Sequence, residues 1–452
     1  MGQNTKKILI AGGGFAGITC MQRLESYFKN DSDVEIALVS EDNFFLFTPM
    51  LPQVASGMIE TRHIIIPIRT LCKKTKFYES RIKNIDPYGK IVNLAGTEEK
   101  RGISLEYDHL VLALGSKTNF FGIDKIEERA YTVKTLSDAV VLRNRVIDML
   151  EQAENENDPI LKKALLTFVV VGAGFAGVET AGELIDFVLD ARKHYPHIVR
   201  DDIRVVILEA LPFILPGFNE KLAEFALKKL RERGIEVKLE TKLSSFSGAE
   251  AIIEDVPGPT KKPVSIPKIG AIQTRTVIWT AGVTPVDIIK KSVFKTSKGG
   301  IVVNEYLEVP DYPEVFAIGD CSVLINPKTQ RPYPLTAQNA EAEGKTAAHN
   351  IWALLKKQEK KIFEYSSKGQ MAIIGKRTGI ATIFGLPLHG FFAWWIWRTI
   401  YLSKIPKFDK RFRILLDWTI DLFFDRDIAR LRILRHEPPK EFRELDEVDD
   451  VW

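Results

Sequence analysis

Two stretches carry glycines at the spacing that lets backbone close on a pyrophosphate: Gly12, Gly14 and Gly17 in "KKILIAGGGFAGITC", and Gly172, Gly174 and Gly177 in "LTFVVVGAGFAGVET". Each follows a short aliphatic run and opens a stretch with helical spacing, the context that makes GxGxxG a nucleotide motif. The first glycine permits the tight turn, the second leaves room for phosphate, and the third lets the helix lie close on the strand. The helix N-terminus then offers free N–H groups and a positive dipole end to the anion. Phe15 and Ala16 belong to the first of these loops and count with it as cofactor contacts. A second strand after each motif should end near an acid that holds an adenosine ribose. "IRVVILEA" offers Glu209, whose charge would repel a 2′-phosphate, so NADH is expected over NADPH. In "VEIALVSEDNFF" Ser40 stands at the usual place of the acid, and Glu41, next along, is the candidate.

These residues need elements to hold them, and the chain is long enough to supply them. At 452 residues, 45% hydrophobic and 27% charged, it has the composition of an ordinary folded protein of two or three domains. A net charge of +4, with no basic domain and no nucleic-acid motif, argues against a nucleic-acid partner. Cys20, Cys72 and Cys321 lie far apart with no CxxC, so neither a disulfide framework nor a zinc site is expected. None of the seven histidines has a ligand spacing, and no metal is expected. The N-terminus enters a strand pattern at once, leaving no room for a signal peptide. No run reaches the roughly 18 to 20 apolar residues that span a bilayer.

Further strands follow in order. "YDHLVLALGS" ends at Gly115 and "TRTVIWTAGV" at Gly282, while "EVFAIGDCS" ends in Gly319 and Asp320. "ENENDPI" (154–160) is a polar, proline-ended joint before the second glycine motif, and "DVPGPTKKPVSIPK" (255–268) reads as an exposed hairpin or loop.

Taken together, GxGxxG, ALGS, GxGxxG, TAGV and FAIGD over roughly residues 6–345 resemble the two-dinucleotide-binding-domain flavoproteins. Within that group, "NFFLFTPMLPQVASG" (43–57) and "TAQNAEAEG" (336–344) are similar to type II NADH dehydrogenases, the single-chain NADH:quinone oxidoreductases that do not pump protons. The resemblance implies an α/β fold with two Rossmann-like domains in a glutathione-reductase-like arrangement. FAD would occupy a discontinuous domain (1–120 and 285–350), NADH a second (121–284), and 351–452 would form a C-terminal region. Gly115, Gly282 and Asp320 would join the glycines at the cofactors, with Asp320 on the ribitol. Hydride would pass from NADH to FAD, and two electrons on to ubiquinone or menaquinone.

Three residues carry implied catalytic roles: Gln338 as a hydrogen-bond donor to a quinone carbonyl, Glu179 in proton handling or nicotinamide contact, and Lys376 near flavin and quinone. The family pattern Ala-Gln-x-Ala-x-Gln departs here, because its second glutamine is Ala342, followed by Glu343. Three related readings stay open: a sulfide:quinone oxidoreductase, a redox-sensing flavoprotein of the apoptosis-inducing-factor type, and a membrane-associated nucleotide-binding protein without turnover. A disulfide reductase would need CxxxxC where this chain has "FFLFTPMLPQVASG".

"FFAWWIWRTIYL" (391–402) belongs with this last part of the chain. It precedes the basic cluster Lys404, Lys407, Lys410, Arg411 and Arg413, and then "ILLDWTIDLFFDRDIARLRIL". There Asp417, Asp421 and Asp425 recur every fourth residue and would share one helix face, with Phe412, Leu416, Ile420, Phe423 and Phe424 on the other. Aromatic and basic residues around amphipathic helices suit a bilayer interface. The expectation is monotopic attachment through roughly 385–432 at the cytoplasmic face of the cell membrane. Packing on the protein's own core, or in a homodimer, is the alternative.

Overall fold

The computed structural model describes residues 5–96, 102–256 and 269–431. Most of the 255–268 segment, and residue 432 onward, lie outside them. The apolar run Lys6–Ala11 forms a strand whose last four residues are buried. It pairs in parallel with Val34–Ser40, Lys6 opposite Val34, and with His109–Leu112, Ile8 opposite His109. Strands covered on both faces read as unbroken aliphatic runs rather than alternating ones, which is why these segments stand out. Lys76–Glu79 extends the sheet on one side and Tyr312–Ala317 on the other, with Glu308–Val309 at the edge. One sheet therefore takes strands from 6–112 and again from 308–317.

Between those two visits the chain builds a second parallel sheet. Its order is Tyr131–Thr132, Thr276–Trp279, Thr167–Val171, Arg204–Leu208 and Ile235–Lys238. Each unit also carries a three-stranded antiparallel sheet: Ile82–Asp86, Ile91–Leu94 and Ser104–Glu106 in the first, Thr241–Phe246, Glu250–Asp255 and Ile269–Gln273 in the second. This is the doubly wound α/β architecture expected from the motifs.

The helix Ala337–Lys356 packs along Phe15–Tyr27, the helix behind the first glycine loop. Contact is close at Gly344, where a Cβ would lie 2.5 Å from the Ala16 carbonyl oxygen. A third antiparallel sheet, Gly369–Gly375, Thr378–Ile383 and Leu386–Gly390, then lies against the second-unit helix Phe175–Ala191. At Gly182 on that helix a Cβ would come within 2.6 Å of the Ile374 carbonyl oxygen.

Two helices, Phe391–Lys404 and Phe408–Ile420, complete the described C-terminal region. "FFAWWIWRTIYL" divides between two environments. Ala393, Trp394 and Trp397 are buried, whereas Phe391, Phe392 and Trp395 face outward. Burying one such aromatic contributes about 1.5–3 kcal/mol, enough to hold the helix on the body. The second helix stops at Ile420, so Asp421 and Asp425 do not continue its face as the fourfold spacing suggested. Each acid has a basic partner instead: Asp417 pairs with His63 at 2.5 Å and Asp421 with Arg426 at 2.8 Å, both largely buried, while Asp425 pairs with Lys193 at 2.6 Å on the surface. The apolar set Phe412, Leu416, Ile420, Phe423 and Phe424 is exposed. Among the described residues, no helix is long and apolar enough to cross a membrane.

Candidate active site

Both glycine loops have the geometry their spacing predicted. Gly12 has φ +120°, and a Cβ there would lie 2.1 Å from the Ala113 carbonyl oxygen. At Gly17 and Gly177 a Cβ would meet the carbonyl oxygens of Gly12 and Gly172 at 2.0 and 1.8 Å, so strand and helix could not approach with any side chain. Gly14 and Gly174, the middle glycines, have nothing within 4 Å of that position. Each is the N-cap of its helix, in extended conformation and without a side-chain cap. The outer glycines thus serve the fold, and the middle ones leave an open cradle at a helix N-terminus where a pyrophosphate fits. Gly115, with φ +70°, likewise faces open space.

The acids at the strand ends differ. Glu209 is nearly buried, and its two oxygens accept from the Ala173 N–H at 2.6 Å and the Leu211 N–H at 2.9 Å. The carboxylate is therefore fixed beside the second glycine loop. Glu41 stands on the surface, paired with Arg81 at 3.3 Å. Asp320 lies in the short turn Gly319–Cys321 after Tyr312–Ala317 and accepts from the Ser116 hydroxyl at 2.6 Å. Lys134 donates to the same hydroxyl at 2.8 Å and reaches Asp320 at 3.7 Å. No sequence pattern marked Lys134.

A cavity of about 430 Å³ joins the two units. Phe15 and Thr48 line it from the first, Phe175, Ala176, Glu179 and Gly282 from the second. Gln338 and Tyr365 close another wall with Ile400, Tyr401 and Lys404, the last turns of the tryptophan-rich helix. That helix was read as an attachment element; its C-terminal end also walls the site. Gln338 donates to the Gly369 carbonyl at 3.3 Å and accepts from the Tyr365 hydroxyl at 3.3 Å. Ala342 packs partly into the core, and the wall residue beyond Gln338 is Glu341, bound to Lys404 at 2.9 Å. Glu343 points away: it is buried, accepts from the Gly319 N–H and from the Asn339 amide at 2.7 Å, and burial pushes its carboxyl up to about 7.

Glu179 lies in the helix behind the second glycine loop and accepts from the Ile373 N–H at 3.0 Å. Loss of water pushes its carboxyl up to about 8, although the Ile373 amide and Trp397 pull the other way. It keeps its proton at neutral pH on the cavity wall. Lys376 is not brought to this cavity. Its ammonium pairs with Asp190 at 2.8 Å and its backbone N–H donates to Asp186 at 2.9 Å, because the turn after Gly375 carries it along the Phe175–Ala191 helix, past Glu179 toward the helix C-terminus. There it lines a second cavity.

The cysteines lie outside the cavity lining. Cys20 and Cys321 are buried, and burial raises every thiol, Cys72 to about 11 and Cys321 to about 12. None is a ready thiolate. Among the described residues, no group of three His, Cys, Asp or Glu side chains is placed to share a metal ion.

Two dinucleotide cradles opening on one shared cavity define an oxidoreductase of the pyridine-nucleotide class. A family profile described as pyridine nucleotide-disulphide oxidoreductase matches residues 6–344, and one described as NDH2 C-terminal domain matches 367–427. The chain is 31% identical to the type II NADH:quinone oxidoreductase Ndh of Mycobacterium tuberculosis, covering 93% of this chain and 89% of that protein. It is 29% identical to the external alternative NADH-ubiquinone oxidoreductase, mitochondrial, of Yarrowia lipolytica, covering 94% and 81%. NDH2 of Plasmodium falciparum, solved in complex with NADH, shares the fold with a TM-score of 0.85 at 22% identity, covering 94% of this chain and all of that one. This chain belongs to the type II NADH:quinone oxidoreductases, within the pyridine nucleotide-disulphide oxidoreductase family. The resemblance carried by its motifs is the right one, and the sulfide:quinone and redox-sensing readings are not favoured.

Proposed function

We propose that the chain is a flavoprotein that oxidises NADH and reduces a membrane quinone without pumping protons. A single cavity carries the reading: it is reached from both glycine cradles and walled by Gln338 and by the end of a helix whose other face is exposed and apolar. We assign FAD to the discontinuous first unit, with Gly12, Gly14, Gly17, Gly115 and Asp320 around it, and NADH to the second, with Gly172, Gly174, Gly177, Gly282 and Glu209. When bound, FAD supplies the two-electron relay between hydride donor and quinone. The protein supplies orientation and proton control. Middle glycines let backbone N–H groups meet phosphates. Glu209, held by two N–H donors, would accept from ribose hydroxyls and repel a 2′-phosphate. Gln338 would exchange its bonds to Gly369 and Tyr365 for a quinone carbonyl. Glu179, protonated at pH 7, would deliver a proton to a quinone oxygen.

The exposed face Phe412, Leu416, Ile420, Phe423 and Phe424, with Phe392 and Trp395, supports peripheral attachment to a bilayer at its cytoplasmic side, where NADH is supplied. Anaerobic NADH should bleach the bound flavin, and ubiquinone or menaquinone analogues should restore its colour. Reoxidation that does not depend on quinone, or reduction by sulfide in place of NADH, would overturn the reading. Loss of self-association, with vesicle binding intact, on charging the exposed phenylalanines would assign that face to a homodimer instead.

A further inference from the structure

Behind the reaction cavity lies a second one of about 260 Å³, between the Phe175–Ala191 helix, the 375–377 turn and the two C-terminal helices. Its lining includes Glu183, Lys376, Arg377, Arg398 and Asp421. The carboxylates already have partners. Arg426, whose side chain is 2% exposed, reaches Glu183 at 3.3 Å and Asp421 at 2.8 Å, and Ser56 also donates to Glu183 at 3.0 Å. Lys376 is engaged by Asp190.

Arg398 is left over. Its guanidinium is stacked on Trp394 at 4.0 Å and near Trp418 at 4.7 Å, and donates to the Met58 sulfur at 3.7 Å. Among the described residues no carboxylate lies within ion-pair distance of it, and its buried Nε has no hydrogen-bond partner. Arg377, exposed on the turn, has no carboxylate within that distance either. A mostly buried guanidinium without a counter-ion is costly, and planar forks of this kind bind phosphate bidentately. Burial lowers Arg398 to about 10, against the pull of Glu183 and Asp421, so Arg398 stays charged while both of those carboxylates are held by Arg426. The opening also borders Leu422, which is continuous with exposed Phe423 and Phe424.

We propose that this cavity is a phosphate-binding site in which Arg398 and Arg377 hold the oxyanion between them. The phosphate could come from the headgroup of an anionic phospholipid or from free inorganic phosphate; only the first source depends on the bilayer contact proposed above. The site lies farther along the Phe175–Ala191 helix, toward its C-terminal end, and shares no lining residue with the reaction cavity, so it is separate from the nucleotide cradles.

Calorimetric titration of the flavin-loaded protein in a phosphate-free, uncharged detergent tests this with three probes: monomeric dihexanoyl-phosphatidylglycerol, inorganic phosphate, and dihexanoylglycerol, which has the same tails without phosphate. Saturable binding of the phospholipid is expected, weakened roughly tenfold or more in Arg398→Gln and Arg377→Gln, with flavin reduction by NADH unchanged. Inorganic phosphate that competes with the lipid at similar affinity would identify the free ion as ligand; lipid binding without such competition would identify the headgroup. If Arg398→Gln fails to retain flavin, exposed Arg377→Gln decides. Binding of neither phosphate probe, equal binding of dihexanoylglycerol, or binding indifferent to both substitutions would overturn the proposal.

Discussion

Replacing each glycine of the second loop by alanine separates what the fold needs from what the ligand needs. At Gly177 the new methyl would sit 1.8 Å from the Gly172 carbonyl oxygen, an overlap that only a backbone shift can relieve. Overpacking of that kind costs about 1–3 kcal/mol, so Gly177→Ala should lower the urea midpoint clearly. At Gly174 the methyl would enter open space, and φ of −72° suits alanine. Stability should then change by no more than about 1 kcal/mol in either direction. Yet the methyl would stand where the pyrophosphate must approach. Losing one charge-assisted bond to a loop N–H costs about 1.5–3 kcal/mol, which weakens NADH by roughly 10- to 100-fold. Stopped-flow flavin bleaching against NADH concentration measures this, with urea unfolding as the companion. A Gly174→Ala protein that saturates within about twofold of the parent would refute the cradle argument, as would one that unfolds like Gly177→Ala.

Other perturbations have equally definite outcomes. Glu179→Gln should remove the pH dependence of flavin reoxidation by quinone, which in the parent falls as pH rises through about 8 because the carboxyl loses its proton there. The same raised value means that the folded state holds the proton from the ordinary carboxylate range up to about 8. The stability from Glu179 is thus complete below that window and lost as pH climbs through it, and the Gln variant should unfold without this slope. Arg426→Ala should cost about 3–5 kcal/mol by chemical denaturation, since it strands Glu183 and Asp421 in a buried site. Phe423→Asp with Phe424→Asp, at side chains 78% and 69% exposed, should abolish sedimentation with anionic vesicles while NADH oxidation by a water-soluble quinone continues; unchanged sedimentation would remove that face from the attachment surface.

Much of the candidate cofactor site was legible because its constraints are local. A GxGxxG between an aliphatic strand and a helix specifies turn, cradle and packing within six residues, and Gly12, Gly17, Gly172 and Gly177 show the close approaches that spacing requires. Asp320 and Glu209 were legible as acids at strand ends. Lys376 was not: its position in "IIGKRTG" says nothing about how far along a packed helix the turn emerges. Lys134, Tyr365 and Tyr401 reach the cavity from three separate segments, and their neighbours in sequence carry no common pattern. The aspartates at 417, 421 and 425 do not form the single helix face that their spacing suggested, because the helix ends at Ile420 and each finds its own partner, at His63, Arg426 and Lys193.

By itself the sequence determined two nucleotide units, the order in which the chain visits them, and a C-terminal part with an apolar and a charged side, because backbone sterics and hydrophobic period act over a few residues. Only the tertiary structure decided that the end of the tryptophan-rich helix walls the cavity between the two units, that burial raises Glu179 to about 8, and that Arg426 takes both nearby carboxylates and leaves Arg398 without one. Those outcomes depend on desolvation and on pairings between residues hundreds of positions apart, which exist only once the units have packed.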